Sequence, residues 1–129
     1  MFRTMLVEDN PLFRGIVKAI LQTQFPLIDI IEAADGVEAM RAMGSLPIDL
    51  IFMDVRLPGE NGLALTRKLK NDHPGTTIVI LTSYDLPEYR EAAIQYKADH
   101  FLSKASLANQ EILTLVETIL LDKGFNVRA

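Results

Sequence analysis

Cysteine is absent from the 129 residues. Disulfides, thiolate zinc sites and cysteine nucleophiles are thereby excluded, and a reducing compartment is permitted. A basic surplus is absent too, with a net charge of −4 and a pI near 5.1. Nucleic-acid binders carry a basic patch. None stands out here, so direct nucleic-acid binding is not expected. No apolar run approaches the roughly 20 residues that span a bilayer. The segment Met1 to Val7 is too short, and meets acids too soon, for a signal peptide. A cytoplasmic protein without membrane contact is expected. Internal repeats, low-complexity segments and interdomain linkers are also missing.

What is present suits one domain. Hydrophobic residues make up 49% of the chain, enough for a core without staples. Met5-Leu6-Val7 reads as a buried strand stopped by Glu8-Asp9. Asn10-Pro11 opens a helix, with Asn as cap and Pro at the first helical position. Leu12, Ile16, Val17, Ile20 and Leu21 follow at helical spacing. A second strand is expected over 28–31 and a second helix from Gly36 to about Met43, with Val37, Met40 and Met43 on one side. Leu50 to Met53 is a third strand, ended by Asp54. Leu57 to Gly62 reads as a loop, and Leu65 and Leu69 mark a third helix. Ile78 to Leu81 is the most β-like run. A fourth helix runs from about Pro87 to Tyr96, a fifth strand over 100–102, and Ser106 caps a fifth helix with Ile112, Leu115, Val116, Ile119 and Leu120 inward. Most of the strands are apolar throughout, as in parallel sheets covered on both faces. The expected fold is therefore α/β, a single doubly wound five-stranded parallel sheet with helices on both faces. The domain is expected over 1–123, with 124–129 as a short tail.

Polar residues fall where strands end: Glu8 and Asp9, Asp54, Thr82, and Lys104. In an open parallel sheet these ends share one edge, where ligands bind. Five scattered residues should therefore meet in one crevice. Three carboxylates do not stay ionised together without a counter-charge. A hard divalent cation, Mg²⁺ or Mn²⁺, would supply it through oxygen ligands. With it, the site can accept a phosphoryl group: Asp54 is the nucleophile, Lys104 a second positive contact, and Thr82 a hydroxyl donor. Taken singly, each residue has a plain reading. Glu8-Asp9 would be a capping pair, Asp54 a turn residue, Lys104 a surface lysine, Thr82 a strand end and Phe101 a core aromatic. Their joint placement carries the chemistry. His73 and His100 have no matching second ligand, the methionines read as gap fillers, and Arg67-Lys68-Leu69-Lys70 reads as a solvated helix face.

The chain resembles response-regulator receiver domains over about 120 residues. The matching pieces are Leu6-Val7-Glu8-Asp9, Phe52 to Gly59, Leu81-Thr82-Ser83 and Phe101-Leu102-Ser103-Lys104. The resemblance implies a flavodoxin-like strand order 2-1-3-4-5 and Asp54 as the phosphorylated aspartate. It implies that Asp9, Asp54 and the backbone carbonyl of Arg56 bind the metal, and that Glu8 holds a metal-bound water. Lys104 would grip the phosphoryl group, with Thr82 and Phe101 as the switch pair. It further implies a histidine kinase or phosphotransfer protein as donor. Phosphorylation would alter the surface of the fourth helix, fifth strand and fifth helix, with a phosphorylation-dependent homodimer as one outcome. Such a chain is a signalling switch that catalyses its own phosphorylation and dephosphorylation, not a turnover enzyme.

Four departures from the family pattern stand out. Ala105 follows Lys104 where proline is usual. Lys97 stands where glycine is common, which predicts a strained or rerouted backbone. Ser83 replaces a smaller residue. Arg56 and Tyr84 are bulky where they flank the acyl phosphate, and slow loss of phosphate is expected. Rival readings fit less well. A phosphohydrolase of the haloacid-dehalogenase type carries a second acid two residues after its aspartate, where this chain has Arg56. A flavodoxin-like carrier needs a Ser/Thr/Gly-rich loop after the first strand. A degenerate receiver, kept only to bind proteins, would not need the full acid, Thr and Lys set. The pattern around Lys104-Ala105-Ser106 resembles receivers that precede a helix-turn-helix. A downstream protein target or an output domain outside this chain is thus expected.

Overall fold

Alternation of side chains along three apolar strands explains the layering. The computed structural model describes residues 1–125, apart from the side chains of 106, 108 and 109. The strands are β1 (Arg3–Val7), β2 (Asp29–Ala33), β3 (Leu50–Met53), β4 (Thr77–Thr82) and β5 (His100–Ser103). All pair in parallel, in the order β2-β1-β3-β4-β5. The helices are α1 (Pro11–Gln24), α2 (Gly36–Ser45), α3 (Gly62–Asp72), α4 (Pro87–Gln95) and α5 (Glu111–Asp122). Met5, Val7, Ile51, Met53, Ile78 and Ile80 point to one face and pack with residues of α2, α3 and α4. Leu6, Leu50, Phe52, Val79 and Leu81 point to the other and meet α1 and α5. A strand with period two between two helical layers must be apolar on both faces. Each large side chain so buried stabilises the fold by about 1.5–3 kcal/mol before entropy is counted.

The start of α1 and the end of α5 follow from local chemistry. The Asn10 side chain accepts from the backbone N–H groups of Leu12 and Phe13 at 3.0 and 3.2 Å, and Pro11 needs no donor there. At the other end of the chain, α5 stops at a left-handed Gly124, with φ 81°. The Phe125 N–H donates to the Leu120 carbonyl and the Gly124 N–H to that of Leu121, a Schellman closure. Phe125 then meets the Phe2 ring edge-on at 5.1 Å. Of the expected tail, Gly124 and Phe125 are thus tied to the core, and 126–129 lie outside the described residues. No helix among the described residues is long and apolar enough to cross a membrane.

Several expectations need correction. In α1, Val17 and Leu21 are buried, but Leu12 and Ile16 are 74% and 44% exposed. The helix carries a wider apolar stripe than the sheet covers. In α2 the buried side is Gly36, Ala39 and Met43, while Val37 and Met40 face solvent. Small residues let α2 approach the sheet closely, and periodicity weighted by large side chains misses that. The segment after Asp54 is not a plain loop: Arg56–Leu57 and Glu60–Asn61 form a short antiparallel ladder. Ser106 does not cap α5. A 3₁₀ turn occupies Lys104–Asn109, and Gln110, with φ 64°, precedes the helix. The Ser106 side chain is outside the described set.

Candidate functional site

Parallel register delivers the polar strand ends to one edge. Val7 stands opposite Met53, Met53 opposite Ile80, and Thr82 opposite Ser103. The next residues on β1, β3 and β5 are therefore Glu8, Asp54 and Lys104. The Asp54 N–H donates to the Val7 carbonyl at 3.1 Å, and the Glu8 N–H to that of Ala33 at 3.0 Å. Glu8 and Asp54 are each only 6% exposed, whereas Asp9 is open to solvent. Carboxylate oxygens of Glu8, Asp9 and Asp54 lie within 4.8 Å of one another. Among the described residues no other acid or histidine cluster of this kind occurs, so His73 and His100 join none.

The Lys104 ammonium bridges the two buried acids. Its Nζ is 2.6 Å from Glu8 Oε1 and 3.3 Å from Asp54 Oδ2. It also lies 4.4 Å from the centre of the Phe13 ring. Burial opposes the charged ammonium, but the Glu8 hydrogen bond and the Asp54 charge outweigh it, and the Lys104 pKa is raised. Burial pushes the Glu8 carboxyl up as well. The bonds from Lys104 and the Asn10 N–H pull the other way without cancelling that rise, and the Asp54 charge adds to it. Burial thus works against ionised Glu8 even with Lys104 in place, and a further cation would favour that form. The donor set is all oxygen, two of its three carboxylates are buried, and one cation is shared between those two. That chemistry fits a hard divalent ion.

The remaining expected residues fall at this edge of the sheet or, for Lys97, in the turn after α4 away from it. Asp54 Oδ1 accepts from the Val55 N–H at 2.8 Å. The chain then returns: the Gly62 N–H donates to the Val55 carbonyl at 2.7 Å. A Cβ at Gly62 would collide with the Asp54 carbonyl oxygen, so glycine is required there. Thr82 is fully buried, and its hydroxyl accepts from the Tyr84 N–H at 3.2 Å. The Arg56 guanidinium lies over the Tyr84 ring, 3.8 Å from its centre. The Tyr89 hydroxyl, then Tyr84, hold the Arg56 pKa above the ordinary guanidinium value. The half-buried Phe101 ring carries the Arg90 guanidinium at 4.6 Å, and Arg90 also pairs with Asp85. Lys97 has the left-handed φ of 68° that its place predicts to be strained. The Lys104–Ala105 peptide is trans, since no cis bond occurs among the described residues. Ser83 is exposed.

Sequence reading missed Arg14, Phe13, Tyr89 and Arg90. Arg14 Nη1 donates to the Glu8 carbonyl at 2.6 Å while Nε pairs with Glu32, which anchors the acidic turn. No local pattern signals these contacts, because each joins separate elements.

Comparison with known proteins identifies the family. The family model for the response regulator receiver domain matches residues 4–128. The chain belongs to that family. It is 31% identical over 121 residues to the glycerol metabolism activator of Pseudomonas putida, covering 93% of this chain and 54% of that protein. It is 30% identical over 102 residues to the chemotaxis protein CheY of Halobacterium salinarum, covering 79% of this chain and 83% of that protein. Against the aerobic respiration control protein ArcA of Escherichia coli it is 30% identical, with 95% and 50% covered. The chain thus spans about half the length of several of the curated relatives it matches. Among solved structures, the response regulator TrrA of Thermotoga maritima, in complex with Mg²⁺-BeF, superimposes with a TM-score of 0.80 at 29% identity, covering 93% of this chain and 100% of that one.

Proposed function

We propose that Asp54 accepts a phosphoryl group in a reaction that depends on a divalent cation. The observation that carries this reading is the convergence of three carboxylates with Lys104 at one sheet edge. Asp9, Asp54 and the Arg56 carbonyl would hold Mg²⁺ or Mn²⁺, with Glu8 reaching it through water. The cation, when bound, neutralises charge on the transferring oxygens. An Asp54 oxygen attacks phosphorus, the bond from phosphorus to the donor's imidazole nitrogen breaks, and that nitrogen keeps the electron pair. Lys104 holds the negative charge that arrives on Asp54. The donor is a phosphohistidine on a histidine kinase or phosphotransfer protein, in a cytoplasmic setting. Thr82 then turns its hydroxyl to the phosphoryl oxygen and Phe101 follows inward. That shift biases the face formed by α4, β5 and α5 toward a downstream target, an output domain or a second copy. The chain acts as a switch rather than as a turnover enzyme. Arg56, in the position of a hydrolase's second acid, weighs against the phosphohydrolase reading. The test is intact-mass spectrometry after incubation with acetyl phosphate. One added phosphoryl group is expected with Mg²⁺ and none in EDTA; equal labelling in EDTA contradicts the proposal.

A further inference from the structure

A second charged feature lies at the opposite edge of the sheet. The C-terminal ends of α3 and α4 border a groove of about 780 Å³. Four cations line it: Arg67, Lys68, Lys70 and Lys97. The lining includes no carboxylate, and Tyr96 supplies an aromatic wall. On α3, Ala64, Arg67, Lys68 and Asn71 recur at intervals of three and four and are all exposed, so they form one open stripe. Lys70 is held by Asp99 at 3.0 Å and Lys68 by Glu60 at 3.1 Å. Arg67 lies over the Tyr96 ring at 5.6 Å, and among the described residues neither it nor Lys97 has a carboxylate partner. Two guanidinium or ammonium groups are therefore free to receive acids. Lys97 also holds a backbone conformation that glycine would adopt without strain.

The charge around the groove narrows its occupant. Setting the four groove cations aside leaves nine basic residues against 17 acidic ones. A long polyanion such as nucleic acid would meet the net negative charge that the rest of the chain carries and be repelled. A short segment would not. We propose that the α3–α4 groove docks a short carboxylate-rich segment of a protein partner. Arg67 offers a planar fork to one carboxylate, Lys97 a point charge to another, and Tyr96 a wall for one apolar residue between them. This site is separate from the acid pocket and does not rest on its proposed function.

The test is a titration of the ¹⁵N-labelled chain with a capped hexapeptide of Glu and Asp around one Leu. Saturating amide shifts are expected over 67–71 and 95–97, weakening as salt is added. The Arg67→Glu/Lys97→Glu variant should bind at least about tenfold more weakly. Both positions are exposed, and an unchanged circular dichroism spectrum verifies the fold. Arg41→Glu, on exposed α2, should leave affinity unchanged. No saturating shift in the groove overturns the proposal. So does equal binding of the Gln/Asn counterpart, or of an oligo-dT hexanucleotide or inorganic phosphate, since each would mark an unselective surface.

Discussion

Lys104 lies between two buried carboxylates that would otherwise repel each other, 2.6 Å from one and 3.3 Å from the other. Its removal leaves Glu8 and Asp54 facing without a cation. Lys104→Met should lower unfolding free energy by about 3 kcal/mol without metal. Millimolar Mg²⁺ should restore part of that, because an ion that binds only the folded chain stabilises it. Urea denaturation with and without Mg²⁺ measures both; an unchanged midpoint in metal-free buffer would count against the shared-cation account. Arg56 and Tyr84, two residues beyond Asp54 and Thr82, stack at 3.8 Å, and neither offers a carboxylate or amide to orient water. Loss of phosphate should therefore be slow, and Arg56→Asn/Tyr84→Glu should lose label faster once donor is removed. A double variant no faster than wild type would show that these side chains do not set the lifetime. The site residues themselves were legible because a strand that stops at a polar residue leaves a one-dimensional mark. Glu8, Asp54, Thr82 and Lys104 each carry that mark. Arg14 does not: its partner Glu32 lies 18 residues away on another element.

Among the elements, β3 was legible to the residue because four apolar side chains, Leu50–Met53, are all buried between two flanking polar positions. The inward faces of α1 and α2 were not. Both carry more large apolar residues than the sheet covers, and α2 turns its small side inward. Packing decides which stripe is buried, and packing is not local. The turn after α4 shows the opposite case. Lys97 stands at φ 68°, where a side chain meets its own backbone. Lys97→Gly should raise stability by about 1 kcal/mol in urea unfolding. A loss of stability would mean that the lysine side chain contributes contacts that outweigh the strain.

For the whole molecule, two apolar cores on either face of the sheet frame the edge on which the proposed switch would act. Thr82 is fully buried at the end of β4, and Phe101 stands on β5 opposite Ile80, two residues before Thr82, under the Arg90 guanidinium. A hydroxyl drawn toward a phosphoryl oxygen would vacate space that this ring can enter. The bias is limited to the differential binding of one group, a few kcal/mol at most. Thr82→Ala should therefore still accept phosphate while amide shifts across α4, β5 and α5 shrink. Identical shifts in the phosphorylated wild type and variant would contradict the coupling. Strand order was legible only through family resemblance, since the apolar runs alone do not order the strands. The most direct measurement maps the acceptor itself. The chain is loaded with acetyl phosphate and Mg²⁺, reduced with borohydride, which converts an aspartyl phosphate to homoserine, and digested for peptide mass mapping. Conversion at position 54 alone, absent without Mg²⁺ and absent in Asp54→Asn, is the predicted result. Conversion at Asp9 or Glu8, or its persistence in Asp54→Asn, would contradict the assignment of Asp54 as the phosphoryl acceptor.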